Sequence, residues 1–227
     1  MEFNGRDLSD LIIIKKIRRS ISAPVLVSRL ALPMRDGSID ARKSYGDRVI
    51  SVDITIMGET REDMIEKAQC LADVLDTENR VIIKFDDEEY FYKGALDGNT
   101  NLDELLMLGD GTLTFVCDAY RYGDAKKSTG SIILNGLPTK KWKITITCTG
   151  SGSGLTISDG TDTLEIVQAL VATDVVVVDF ELGLATLNGV NINKKIVISD
   201  DFFKLKGNVT VTGVTNTKLI EWQEIHR

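Results

Sequence analysis

The stretch RVISVDITIMGETREDMIEKAQCLADVL, residues 48–75, changes its hydrophobic period midway and so predicts a strand followed by a helix. From residue 50 to residue 56, isoleucine and valine alternate with polar residues, which is the period-two pattern of a half-buried strand. Thr60 and Asp63 then have the spacing of an N-terminal capping box, with Asp in place of the usual Glu. The apolar residues that follow fall on one helical stripe, which predicts a buried face. This stripe consists of Met64, Ile65, Ala68, Leu71, Ala72 and Leu75.

Strand patterns also follow this strand–helix pair. Residues 81–85 and 89–96 enclose the acidic turn Asp86–Glu89 and predict a hairpin. Residues 108–120 predict a further strand. The polar stretch 122–130, where the composition changes, predicts a linker.

Beyond the predicted linker, the chain consists of short Thr-, Val- and Ile-rich segments separated by turn signals, a pattern typical of a β-sandwich. The segments are 142–148, 163–167, 174–180, 185–189, 202–205 and 208–213. We therefore predict a mainly β chain with one α-helix. Its predicted domains are an N-terminal α+β domain, residues 1–127, and a C-terminal β-sandwich domain, residues 128–227.

Composition excludes several classes of protein. The 227 residues carry a formal net charge of −7, which argues against sequence-independent nucleic-acid binding through a basic surface. No apolar run approaches the length of about 20 residues that a membrane helix needs. The polar N-terminus does not resemble a signal peptide, so we expect synthesis in a cytoplasm. Cys70, Cys117 and Cys148 lack CxxC spacing and are expected to be small buried hydrophobes.

The sequence offers little equipment for catalysis. The single histidine, His226, is one residue from the end of the sequence, where we expect a frayed chain. The acidic run Asp86–Glu89 lacks the spacing of a calcium loop and predicts a solvated turn. The glycine-rich stretch 149–156 is neither a dinucleotide fingerprint nor a P-loop. We predict no catalytic residues, no metal and no cofactor, which favours a structural or binding protein.

Two tryptophans leave a choice open. Trp142 and Trp222 are candidates for a platform on which a sugar ring stacks. Trp142 also keeps phase with the apolar residues of its predicted strand, so a place in the core or at its rim is the favoured alternative.

A second choice concerns the turn in LPMRDGSID, residues 32–40. Pro33, Asp36 and Gly37 are turn formers, so a bare surface turn is the simplest interpretation. Ten of the eleven arginines, however, lie in residues 1–127, together with 24 acidic residues. Arginine is enriched at protein interfaces, which favours self-assembly through this region, with compositional drift as the alternative. The candidate contact residues are Pro33, Met34, Arg35, Asp36 and Gly37.

Motifs spread over nearly the whole chain follow the order found in one family. They are FNGRDLSD (3–10), PMRDGSID (33–40), IKFDDEEYFYKGAL (83–96), GTLTFVCDAYRYG (111–123), VVVDFELGLATLNGVNI (176–192), FFKLKGNVTVTG (202–213) and LIEW (219–222). In this order and spacing they resemble the distal tail proteins of siphophages, the bacteriophages with long, non-contractile tails. Met34 stands where the family has Gly, so the backbone there does not need a conformation reserved for glycine.

This resemblance implies a structural protein of the virion at the tail tip, or baseplate. The N-terminal domain would form a hexameric ring, and the C-terminal domain would be a galectin-like β-sandwich. The implied partners are other copies of the chain, the tail-tube protein, the tail-associated spike or lysin protein and receptor-binding proteins. DNA would pass through the ring without specific binding, and no membrane is involved.

Two other functions remain as alternatives. A carbohydrate-binding module for host wall polysaccharide would use Trp142 or Trp222. A tail-tube subunit would also be rich in β-structure, although a single tube domain does not explain the second predicted domain.

Overall fold

The computed structural model describes residues 1–31, 36–98, 108–197 and 202–227, together with the backbone of residues 102–105. The chain divides into two compact units. The first contains Met1–Tyr122 and Arg227, and the second contains Gly123–His226. Within the described ranges, no helix is long and apolar enough to cross a membrane.

The first unit is built from strands and one helix. Its strands are β1 (Glu2–Phe3), β2 (Arg6–Asp7), β3 (Ile13–Arg19), β4 (Val25–Ala31), β5 (Ser38–Tyr45), β6 (Arg48–Met57), β7 (Val81–Lys84), β8 (Phe91–Leu96), β9 (Leu102–Leu105) and β10 (Leu108–Cys117), and the helix is α1 (Arg61–Leu75). Strand β11 (Arg121–Ser128) contains the division between the two units.

The main sheet of the first unit is antiparallel and centred on β6 and β10. These two strands pair over ten residues, from Arg48 opposite Cys117 to Met57 opposite Leu108. Strand β3 pairs with β6 on its other side, with a bulge between Ile14 and Lys16. Strands β8 and β9 pair with opposite ends of β10, and β7 links β8 to β1. Helix α1 packs on β6 and β10 and closes the core.

The helix begins as predicted. The Thr60 hydroxyl accepts a hydrogen bond from the Asp63 N–H at 3.2 Å, and an Asp63 carboxylate oxygen accepts one from the Glu59 N–H at 2.9 Å. Within the predicted buried stripe, Met64, Leu71 and Leu75 are buried and Ala68 is partly buried. The prediction was wrong for Ile65 and Ala72, which are exposed. A stripe drawn from sequence spacing does not reveal how wide the covered face is.

Strands β4 and β5 form a separate two-stranded sheet, which we call the β4–β5 hairpin. Their pairing runs from Val25 opposite Tyr45 to Ala31 opposite Ser38, with a register shift between Ser28 and Arg29. The sequence predicted the turn between them but not that the pair would be separate from the main sheet.

The second unit is a β-sandwich. Its elements are β12 (Trp142–Cys148), β13 (Leu155–Ser158), β14 (Thr163–Ile166), β15 (Val175–Asp179), β16 (Leu184–Leu187), β17 (Val190–Asn191), a 3₁₀ turn (Asn193–Lys195), β18 (Thr210–Thr212) and β19 (Asn216–His226). One sheet has the order β17–β16–β15–β12–β19, and the other has the order β14–β13–β18. Inward residues of both sheets form one apolar core, as the alternating burial of β12 and β13 requires.

The predicted fold class, mainly β with one helix, is confirmed. The linker at 122–130 was wrong, because residues up to Ser128 belong to β11. The amines of Lys126 and Lys127 lie 2.9 and 2.5 Å from carboxylates of Glu224 and Glu221 in β19, so this polar stretch is held as a strand by its neighbour.

Residues 202–205 make a single β-bridge, Leu205 opposite Thr139, and not the predicted strand. The domain bounds 1–127 and 128–227 and the galectin-like comparison stay predictions.

Candidate assembly surface

The β4–β5 hairpin exposes several large apolar side chains. Apart from Val27 and Tyr45, every residue of its two strands is exposed. The exposed fractions of Leu26, Leu30 and Ile39 are 56%, 55% and 41%. Aliphatic side chains of this size are ordinarily buried, and exposed apolar patches mark interaction sites.

The described part of the predicted contact turn, Asp36 and Gly37, directly precedes β5. Asp36 and Gly37 are exposed, and Gly37 has φ of +90°, a left-handed conformation that glycine adopts without strain. Pro33, Met34 and Arg35 lie outside the described residues. The assignment of residues 33–37 as contact residues therefore stays a prediction.

Arginine was expected to serve contacts between copies, but several arginines pair within the chain. Two N–H groups of Arg18 donate to both carboxylate oxygens of Asp53 at 2.8 and 2.6 Å. Arg19 pairs with Asp87 in the same two-point geometry at 2.8 and 2.7 Å. In each case the guanidinium hydrogen bonds lower the pKa of the aspartate carboxyl below its ordinary value of 3.8.

Arg80 bridges two loops of the first unit. It donates to both oxygens of Asp47 at 3.0 and 2.6 Å and to Asp118 at 2.5 Å. Hydrogen bonding to Arg80 lowers the pKa of Asp47. By contrast, Arg42 in β5 is exposed and has no ion pair among the described residues. Arg42 is thus available for a contact outside its own chain.

The two tryptophans lie side by side in the core of the second unit, on neighbouring strands β12 and β19. Trp142 is 2% exposed, stacks on Phe180 with ring centroids 3.7 Å apart, and donates its indole N–H to the carbonyl oxygen of Phe203 at 3.1 Å. Trp222 is 6% exposed. A shallow depression of about 280 Å³ next to them is also bordered by charged side chains such as Lys143 and Glu221. These positions are those that the core alternative expects, and a stacked sugar would need an exposed ring face.

The candidate catalytic and metal-binding groups are used structurally. Asp86 contacts the amino group of Met1 at 2.8 Å, and Glu88 accepts a hydrogen bond from the Tyr92 hydroxyl at 2.7 Å. Burial, reinforced by this hydrogen bond, raises the pKa of Tyr92 to about 12. His226 is not in a frayed end but in β19, 3.9 Å from Glu224. Over the described part of the chain, no three His, Cys, Asp or Glu residues are grouped as a metal site would need.

The three cysteines differ in burial. Cys117 and Cys148 are buried as predicted, and burial raises the pKa of Cys117 to about 12, so its thiol stays protonated. Cys70 is only partly buried, and its sulfur accepts a hydrogen bond from Arg6 at 3.2 Å. The prediction that all three would be buried was therefore wrong for Cys70.

Comparison with known proteins accounts for both units. Residues 6–117 match the family described as phage tail protein RIFT-related domain. Residues 135–226 match the family described as siphovirus-type tail component, C-terminal domain. The chain therefore carries two domains of phage tail-protein families, one matched mainly in each unit.

A protein of phage SPP1 and its crystal structure are similar to this chain over almost the full length. The distal tail protein of Bacillus phage SPP1 is 25% identical over 224 residues, covering 92% of this chain and 88% of that protein. The crystal structure of SPP1 Dit is described as a paradigm of the hub adsorption apparatus in phages that infect Gram-positive bacteria. It has a TM-score of 0.83 and 22% identity, and the match covers 99% of this chain and 98% of that one. The chain belongs to the siphophage distal tail protein family, as the motifs predicted.

Proposed function

We propose that this chain is the structural hub at the distal end of a long, non-contractile phage tail. Residues 1–127 form a hexameric ring that joins the last ring of the tail tube to the tail-tip proteins. Residues 128–227 form the outer domain of the ring. The observation that carries the proposal is that two tail-specific family domains, at 6–117 and 135–226, follow each other in one chain.

The hub acts by binding other proteins and not by catalysis. Its proposed partners are further copies of this chain, the tail-tube protein, the spike or lysin protein and receptor-binding proteins. The turn at residues 33–37 takes part in contacts between copies. DNA leaves the virion through the ring, and a chain with net charge −7 suits a channel that must not retain DNA.

The test is to measure the mass of the purified chain by size exclusion with light scattering, alone and after adding the tail-tube protein of the same phage. We expect a mass of six chains, or a stable complex with the tube protein that has six copies of this chain in a ring. Electron microscopy of the complex would show the ring and its lumen. A chain that neither forms a ring nor binds the tube protein would overturn the proposal.

A further inference from the structure

The β4–β5 hairpin has one face that is both apolar and cationic. The register of the pair places Leu30 opposite Ile39, and the alternation of side chains along the strands places Leu26 and Arg42 on the same side as this pair. All four side chains are exposed. We call this set, Leu26, Leu30, Ile39 and Arg42, the hairpin face.

We expect another surface to pack on the hairpin face. An isolated two-stranded hairpin is at best marginally stable in water, because it buries little apolar surface against anything else. The paired strands of this hairpin nevertheless present large aliphatic side chains to solvent. A surface that packs on the hairpin face would therefore bury apolar area and stabilise the hairpin at once.

Helix α1 presents a surface of complementary character. Its solvent-facing stripe, which we call the helix face, is formed by Glu62, Ile65, Glu66, Gln69, Asp73 and Asp76. None of its four carboxylates has a cationic partner among the residues that the structure describes. Ile65, which is 36% exposed, adds an apolar contact to this acidic surface.

Charge and length both fit the two faces to each other. The hairpin face carries the guanidinium of Arg42 and no carboxylate, whereas the helix face carries four carboxylates and no basic side chain. The seven residues of β4 extend over about 23 Å at the usual rise of a strand. The fifteen residues of α1 extend over about 22 Å. Both faces are exposed in the same chain, so neither covers the other within one copy.

We propose that the hairpin face of one copy docks on the helix face of a second copy, and that the chain forms this contact by itself. This inference rests on the proposed function, because it names the surfaces that join neighbouring copies in the ring. Arg42 pairs with carboxylates of the helix face, while Leu26, Leu30 and Ile39 pack around Ile65. The contact uses two different patches, one from each copy, and such head-to-tail contacts close into a ring when their rotation allows.

Charge reversal tests the contact from both sides. One variant carries Arg42→Glu, and its matched control carries Lys43→Glu, the neighbouring residue whose side chain lies on the opposite side of β5. A second variant carries Glu62→Lys with Glu66→Lys. Each substitution is at an exposed position, and circular dichroism with thermal unfolding verifies that the fold is retained. Self-association is then measured by sedimentation velocity over a wide range of protein concentration.

We expect each face variant alone to lose self-association by roughly tenfold or more in the dissociation constant, since like charges then oppose each other at the contact. The Lys43→Glu control should assemble like the unaltered chain. An equimolar mixture of the two face variants should assemble again, because every hairpin then meets a helix of opposite charge. Rescue in the mixture is the result that a general loss of stability would not give.

The results separate this contact from the hub function. If the unaltered chain assembles and the face variants assemble equally well, the proposed contact is overturned and the hub stands. If the unaltered chain stays monomeric yet binds the tube protein, the contact between copies is also overturned. Loss of tube binding in Arg42→Glu would then assign the hairpin face to the tube protein. Failure of the hub proposal would instead appear as the absence of both assembly and tube binding.

Discussion

The side chain of Leu71 lies on the core side of α1, whereas Ile65 lies on its solvent side. Leu71 is 4% exposed and packs in the apolar cluster of the first unit. Ile65 belongs to the same helix and has the same number of carbon atoms, but its truncation removes little buried apolar surface from a single copy of the chain. The pair therefore separates what a residue contributes to folding from what it can contribute to contacts with other molecules.

We expect Leu71→Ala to lower the free energy of unfolding by about 2–5 kcal/mol, because it removes buried methyl groups and leaves a cavity. Ile65→Ala should change it by no more than about 0.5 kcal/mol, as is usual for surface positions, when the protein is dilute enough to be monomeric. Urea unfolding followed by circular dichroism measures both values. Equal effects of the two substitutions would mean that α1 is rotated relative to the described structure.

At the scale of an element, α1 starts at a specific place because of its cap. The Thr60 hydroxyl accepts a hydrogen bond from the Asp63 N–H, which has no acceptor within the helix. The Asp63 carboxylate also places a negative charge in the first turn, where it interacts favourably with the helix dipole. Gly58 also has a steric role, since a Cβ at that position would lie 2.5 Å from the backbone nitrogen of Met64. The chain can therefore make this turn from β6 into α1 without a local shift only with glycine at 58.

We expect Thr60→Ala to destabilise the first unit by about 1 kcal/mol, because the Asp63 N–H loses its acceptor. Thr60→Ser keeps the hydroxyl and should remain within a few tenths of a kcal/mol of the unaltered chain. Thermal unfolding of the three proteins measures the difference. A Ser variant as unstable as the Ala variant would show that the methyl group, and not the hydroxyl, matters at residue 60.

The elements differ in how far the sequence could predict them. Strand β6 and helix α1 carry strong periodic patterns and a cap, so local physics alone predicted both. The aliphatic residues of β4 look like those of a buried strand, and their exposure depends on the absence of a neighbouring element, which no local pattern records. The sequence predicted a linker where β11 lies, for the opposite reason. The polar residues of this strand are stabilised by β19, which is distant in sequence. Residue pairs such as Arg80 with Asp47 likewise need the tertiary structure.

On the scale of the whole molecule, several aspartate carboxylates are paired with arginine or lysine side chains, which favour the ionised form of the carboxylates. Hydrogen bonds from Arg18, Arg19, Arg80 and Lys15 lower the pKa values of Asp53, Asp87, Asp47 and Asp110 respectively. Each of these aspartates binds a proton more readily in the unfolded chain than in the folded one. Their contribution to stability is therefore fully present above the ordinary Asp pKa of 3.8 and is lost as pH falls below it through the folded values.

We expect the midpoint of thermal unfolding to fall steeply as the pH is lowered below about 4. Arg18→Gln removes the guanidinium partner of Asp53, which keeps only its hydrogen bond from the Thr112 hydroxyl, and should make this decline shallower. Arg6→Gln removes the same charge from an exposed arginine that has no ion pair among the described residues and donates to the Cys70 sulfur instead, so it serves as the matched control and should retain the steep decline. Identical slopes in Arg18→Gln and the unaltered chain would show that the Arg18–Asp53 pair does not contribute to acid sensitivity.

Strand β3 ends the main sheet of the first unit, and among the described strands it pairs only with β6. Four of its seven residues, Lys15, Lys16, Arg18 and Arg19, are basic, and a bulge interrupts its register. Charged side chains and a bulge on an edge strand are two of the features by which natural sheets avoid pairing with further copies into fibres. A high local concentration of copies therefore does not favour cross-β pairing through this edge.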